Sequence, residues 1–414
     1  MSIASGIEKK IILAAQATKG TVAEAALATA KYLRRVTSSI DLVKETYQSN
    51  EIRPDRQVGD FRHGVQSIEG TLNGELSPET YELLMAAILR KDFVAGVSDA
   101  ANSNVAIDAT AKTTTRSDAL GSWLEDGFKK GDIIRHSGFT ATGNNDINLM
   151  LTAVTDTVLN WLVLNGTTLT TEGEGQAITT SVQGMKTWTP TTGHTEDWFT
   201  LEHYFEDVDL SEVFYDVKVN SMAVSLPATG MATIDVGLMG LNHNFLETGA
   251  SPYFSAVLDA TTTGIVAAVN GVITVEGTQI ALITSMDFDI AANLTNEPVV
   301  GSDVKPDLFE GKVMVSGNMS VYFEDATFRD YFKDETEVSI ACAFTTNNDD
   351  DAEFIAFSMP RVKVGGASKD DGEKGIIQTM PFTALFDTNA GADTGATATD
   401  TLATTLSIQD STLT

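Results

Sequence analysis

Two stretches of this 414-residue chain decide how it is read: SSIDLVKETYQSNE at residues 38–51 and TSMDFDIAANLTNE at residues 284–297. Aligned directly, Ser39 matches Ser285, Asp41 matches Asp287, Asn50 matches Asn296 and Glu51 matches Glu297. With one residue inserted, Gly64 falls on Gly311, Gly70 on Gly317, Thr80 on Thr327 and Leu84 on Tyr331. A near-constant offset across glycines, strands and helix marks a unit of roughly 60 residues used twice, too far apart to be a short-period solenoid.

Both copies share one local grammar. An alternating strand opens each, RVTSSIDLV (35–43) and ALITSMDFDI (281–290). A polar segment follows, residues 44–63 and 291–310, and then a second alternating strand, GVQSIEGTLNGEL or GKVMVSGNMSVYF. A helix closes the unit. In SPETYELLMAAILRK, Ser77 suits the N-cap and Pro78 the first helical position, while Glu79 and Glu82 favour the positive helix end. Tyr81, Leu84, Met85, Ile88 and Leu89 form its apolar stripe, and EDATFRDYFKD repeats it with Phe328, Tyr331 and Phe332 inward.

The polar segments are too long for a tight hairpin, where about 2–5 residues are usual. The first holds Lys44, Glu45, Glu51, Arg53, Asp55, Arg56, Asp60 and Arg62; the second holds Asn296, Glu297, Asp303, Lys305 and Asp307. Mixed charge on an extended arm suits protein–protein contact, and a solvated loop is the alternative.

Between the copies, GFKKGDIIRHSGFTATGNNDINLMLTAVTDTVLNWLVLNG (127–166) shows short strands at regular spacing, the pattern of a small β-domain. VFYDVKVNSMAVSLPATGMATIDVGLMG (213–240) reads as a strand hairpin turning at residues 227–230. EFIAFSMPRVKVGG and KGIIQTMPFTALFD form a comparable late pair. The expected division is 1–110 and 196–248 for the first unit, 111–195 for the inserted domain, 249–390 for the second unit and 391–414 for a C-terminal arm. That last Thr/Ala/Asp-rich segment is expected to lie against neighbouring subunits. The expected fold class is mainly β: two sandwich or barrel units, each with a flanking helix, plus the small inserted β-domain.

Composition bounds the function. The mean hydropathy of −0.02 and 42% hydrophobic residues supply real cores. No apolar run reaches the roughly 18–20 residues that span a bilayer, and residues 11–15 are too short for a signal-peptide core; synthesis in a cytoplasm without standard secretion is expected, with no membrane binding. The net charge is −30. Residues 1–100 carry 12 basic and 13 acidic residues, and the remaining 314 carry 15 and 44. Such a surface repels nucleic acid.

No catalytic constellation emerges. His63, His136, His194, His203 and His243 are scattered without metal-ligand spacing. TEGEGQAI lacks the helix and GK[ST] of a phosphate loop, and GHTED is a polar turn. NNDDDAE (347–353) lacks EF-hand spacing and reads as an exposed acidic loop. Cys342, the lone cysteine, alternates within VSIACAFTT as a small buried hydrophobe. No cofactor or metal is expected.

Residues 35–89 together resemble the start of major tail tube proteins of long-tailed (siphovirus-like) bacteriophages, and GFKKGDIIRHSGFTATGNND resembles a small β-domain inserted in some of them. VNSMAVSLP and FIAFSMPRVKV fit the later strands, so the resemblance covers most of residues 30–245 and 280–390. It implies tail-tube-type β-sandwich or barrel units that join through their sheets into six-fold or pseudo-six-fold rings. The rings stack, and the arm after the first strand contacts the adjacent ring. Two units per chain then imply three chains per ring. Implied partners are further copies of the chain and the tail proteins at neck and tip, with DNA passing through without specific binding. The implied location is the virion tail, after synthesis in a host bacterial cytoplasm. An acidic inner wall would keep phosphates off the surface, and Glu69, Glu75, Asp287 and Asp289 are candidates for it. The alternative is another virion structural protein (tail tip, fibre or decoration) or a surface-layer protein.

Overall fold

The computed structural model describes residues 3–119, 121–247, 249–388 and 403–414. Nineteen strands hydrogen-bond into one continuous sheet and seven into a second. The main strands of the large sheet are β1 (Lys9–Ala15), β2 (Asp41–Gln48), β3 (Phe61–Glu75), β4 (Met185–Trp188), β5 (Phe199–Phe205), β6 (Leu210–Pro227) and β7 (Thr233–Leu246). They continue with β8 (Gly271–Val275), β9 (Ile283–Ala291), β10 (Met314–Tyr322), β11 (Glu337–Thr345), β12 (Phe354–Val364), β13 (Ile377–Ala384) and β14 (Ser407–Asp410). Helix α1 is Glu82–Leu89 and α2 is Thr327–Lys333.

The order of pairing recurs. In the first unit β2 pairs with β3, β3 with β7 and β7 with β6, while β6 also carries β5 and then β1. In the second, β9 pairs with β10, β10 with β13 and β13 with β12, while β12 carries β11 and then β8. The units meet strand to strand: Ser221 to Pro227 of β6 run antiparallel to Ala291 to Ser285 of β9. Period-2 alternation explains why these segments are strands with two unlike faces. Met222, Val224, Val236, Leu72, Phe288, Ile290, Met319 and Met380 turn inward into one core shared by both units.

The α1 stripe is buried as its spacing suggests, but the helix starts at Glu82 and not beside Ser77. Glu79 takes a left-handed φ of 63°, which breaks the helical path. Its N–H bonds the Asp410 carboxylate (2.7 Å), and Ser77 instead pairs its hydroxyl with Thr80 (2.7 Å). In α2, Phe328 and Tyr331 pack on the core while Phe332 is exposed.

The second sheet runs from Ser98–Asn102 to Ile178–Val182, around Trp123, Phe128 and Trp161. Residues 98–108, assigned above to the first unit, therefore belong to the inserted sheet, while residues 185–188 belong to the large one. The inserted domain docks on the second unit through Ile133 and Met150 against Ala341, Ala343, Phe354 and Ala356.

The chain end overturns one expectation. Residues 407–410 do not leave for a neighbour; β14 fills a slot between β4 and β12 of its own chain. Leu406 and Ile408 are fully buried in the main core. The rest of the expected arm, residues 391–402, lies outside the described residues.

Candidate assembly surfaces

Where the inward parity builds the core, the outward parity builds an open face across both units. Two cross-sheet rows define it. One runs Glu75, Thr233, Ser225, Asp287, Asn318, Pro381. The next runs Asn73, Asp235, Ala223, Asp289, Ser316, Thr383. Glu69 stands beside Asp41 at the β2 edge of the same face. From β3 to β13 both rows hold acids and small residues and no lysine or arginine; on β12 the second row continues to Lys363, opposite Thr383, which pairs with Glu337 (3.7 Å) on β11.

All four candidate inner-wall acids thus share one face, brought together by the β6–β9 junction. Asn73 donates to Asp235 (2.7 Å), Asn318 donates to Asp287 (3.3 Å), and the Ser67 hydroxyl donates to Glu69 (2.9 Å). Burial pushes the Asp289 carboxyl above the ordinary aspartate value. Asp235 was not singled out from the sequence, and Asp41 was read only as a mark of the repeat. The signal for Asp235 was present in TIDVGLMG, where it sits at the polar parity between Ile234 and Val236.

The two arms differ. The first is a ribbon, not a structureless loop: β2 and β3 stay paired out to Gln48 and Phe61. Lys44 lies opposite Gln66, and the Tyr47 hydroxyl donates to Glu45 (2.6 Å). The charges of the tip are neutralised locally, Arg53 by Asp55 (2.9 Å) and Arg62 by Asp60 (2.8 Å), while Glu51 and Arg56 point to solvent. Such exposed pairs are screened by solvent and add little to stability. The ribbon also exposes Val43, Tyr47, Ile52, Val58 and Phe61.

The second arm folds back on the first unit. Gln66 N–H donates to the Asp303 carbonyl (2.8 Å), and Asp307 pairs with Lys19 (2.7 Å). Lys305 holds Asn296 (3.0 Å). Glu310 takes both Arg90 and the buried Lys218, whose ammonium lies 4.2 Å over the Trp198 ring. Leu308 joins Trp198 and Leu241 in a small apolar cluster. Glu297 and the neighbouring Val299 and Val300 remain exposed at the tip.

Among the described residues no group of three His, Cys, Asp or Glu side chains is placed to hold a metal ion. The 347–353 loop instead docks on the inserted domain, with Arg135 donating to the Asp351 carbonyl (2.7 Å) and Asn148 N–H to the Asp350 carbonyl (2.9 Å). Cys342 is fully buried, and burial pushes its thiol up to about 12.

A family model described as "Phage tail tube protein" matches residues 6–384. The chain belongs to the phage tail tube protein family. No curated protein matches it. A tail tube protein is a structural subunit of the virion tail that assembles with copies of itself and with other tail proteins, and the mainly β architecture agrees with that. Among the described residues no helix of this tail tube protein is long and apolar enough to cross a membrane.

Proposed function

We propose that the chain is a double-unit subunit of a siphovirus-like tail tube, made in the host cytoplasm and assembled as rings of three copies with pseudo-six-fold symmetry. The recurring strand order supports this reading, because each unit offers the same two edges and the same open face. Fusing two ring positions in one chain lowers the entropic cost of assembly and lets the positions differ.

The open face lines the lumen. The observation that carries this is the pair of cross-sheet rows in which, from β3 to β13, the only charged residues are Glu75, Asp235, Asp287 and Asp289, with the one lysine, Lys363, at the β12 margin beside Glu337. A negative wall holds phosphates away, so DNA slides to the host without strong contacts to break. The first arm, with exposed apolar residues on a projecting ribbon, reaches the adjacent ring. The second arm is committed to its own chain at its base and offers only its tip. Electron microscopy of the purified protein tests the whole: hollow tubes with an acidic bore support it, and monomers, solid fibres or a basic bore refute it.

A further inference from the structure

The junction inside the chain is a template for the junction between chains. β6 pairs Val219 with Leu238 and then Ser221 with Gly237, so Asn220 is an extra residue. In the second unit Val364 pairs with Phe382 and Ser368 with Thr379, which also leaves one extra residue. Leu72 lies opposite Val236, and Met319 lies opposite Met380. Matching those pairs sets Val364 in the place of Val219 and residues 366–370 in the place of 221–225.

The other edge can be matched the same way. Asp287 lies opposite Asn318, the counterpart of Thr71, and Thr71 receives the N–H of Ser39 (2.9 Å). A Cβ on Gly70 would strike Ile40, and one on Gly317 would strike Asp287 and Phe288. Residues 39–43 therefore occupy the place of 287–291, two residues away from the match that sequence identity suggests.

In the first unit's last strand, residues 221–225 are covered by 287–291. Their counterparts, 366–370 and 39–43, have no strand on the outer side among the described residues. Ile290 is fully buried under that cover, whereas its counterpart Leu42 is only half-buried, and Val43 is exposed where its counterpart Ala291 is half-buried; Ile40, the counterpart of Phe288, turns into the core and is buried like it. The Leu42 N–H donates to the Asp41 carboxylate (2.7 Å), in the position where Ile290 faces Met222. Edges of this kind invite another strand.

We infer that residues 366–370 of one copy pair antiparallel with residues 39–43 of the next copy, with Gly366 opposite Val43, Ser368 opposite Asp41 and Asp370 opposite Ser39. This deepens the ring reading and rests on it. The register sets a hydroxyl against a carboxylate twice, as Ser225 faces Asp287 inside the chain. The register taken from sequence identity would instead oppose Asp370 to Asp41, two like charges. Each copy offers one edge of each kind, so the contact repeats head to tail and closes where the rotation allows.

Cysteine cross-linking of full-length assembled protein tests this. D41C/S368C and S39C/D370C are the in-register pairs, either of which suffices if the other fails to assemble, and V43C/S368C marks the alternative register. The buried Cys342 does not compete. Mild oxidation is expected to link the in-register pairs about tenfold faster than V43C/S368C, because disulfides need Cα atoms within roughly 7 Å. The non-reducing ladder should stop at three chains. Tubes in which neither in-register pair links, or in which V43C/S368C links faster, overturn the pairing and leave the tube reading standing. An absence of rings or tubes by microscopy overturns both.

Discussion

Asp235 and Asp289 flank Ala223 in a single row across the sheet, one acid from each unit. The β6–β9 junction puts them there, so one acidic face runs without a break from the first unit to the second. Asp289 is half-buried, and desolvation by that burial pushes its carboxyl above the ordinary aspartate value.

Reversing that face should convert a non-stick bore into a binding one. In tubes of D235K/D287K/D289K, DNA should co-sediment at low salt and be released as salt rises, with log K falling by about 0.9 per phosphate neutralised for each unit of log salt. Unmodified tubes should retain none. Equal retention by both would remove the electrostatic role of the face.

The inserted domain should be acid-sensitive through His136. Its ring is fully buried between the hydroxyls of Thr114 and Thr180, each at 2.9 Å, and desolvation lowers its pKa from 6.5 to about 3. Between those values the unfolded state binds the proton and the folded state does not. Stability is then complete above pH 6.5 and falls as pH drops toward 3, by about 1.4 kcal/mol per pH unit. Urea unfolding from pH 7 to pH 4 should show this slope, and His136→Asn should flatten it.

Gln409 should matter more than its place near the chain end suggests. Its side chain accepts the Ile133 N–H (2.9 Å) and donates to the carbonyls of Ile133 and Gln183, both at 2.8 Å. Gln409→Ala leaves those buried groups unmatched and should cost about 1–3 kcal/mol. Limited proteolysis should release the inserted domain faster. An unchanged cleavage rate would show that β14 is not its anchor.

Phe288 on the junction strand and Phe357 on β12 meet edge to face, 5.1 Å between centroids, both buried. Phe288→Ala should cost about 3–5 kcal/mol in denaturant unfolding. A double-mutant cycle with Phe357→Ala should return a coupling of about 0.5–1.5 kcal/mol. Additive losses would mean that the rings are independent.

Alternation made the hairpin of Met222 and Val236 legible in the sequence, as it did the inward set of α1, because burial writes a period into the residues it selects. It also placed Glu69, Glu75, Asp287 and Asp289 on strands, though their meeting on one face needed the pairing of Ser225 with Asp287, which is long-range. Other features left no local mark. Glu79 breaks the helix through its φ and a carboxylate far along the chain. The strand SIQD at residues 407–410 is short and polar, and its inward Ile408 is a single apolar letter. The two-residue slip at Ser39 is silent because a shift of two keeps every side chain on its own face. The second arm looked like a twin of the first, yet Glu310 finds Lys218 and Arg90 only once the units are joined.

The most direct test of the central claim is the ring itself. Electron microscopy with image reconstruction of tubes assembled from the purified 44.2 kDa chain should show three copies per ring, six similar lobes and a bore lined by Glu75, Asp235, Asp287 and Asp289. Six chains per ring, or a bore lined by any other face, would contradict it.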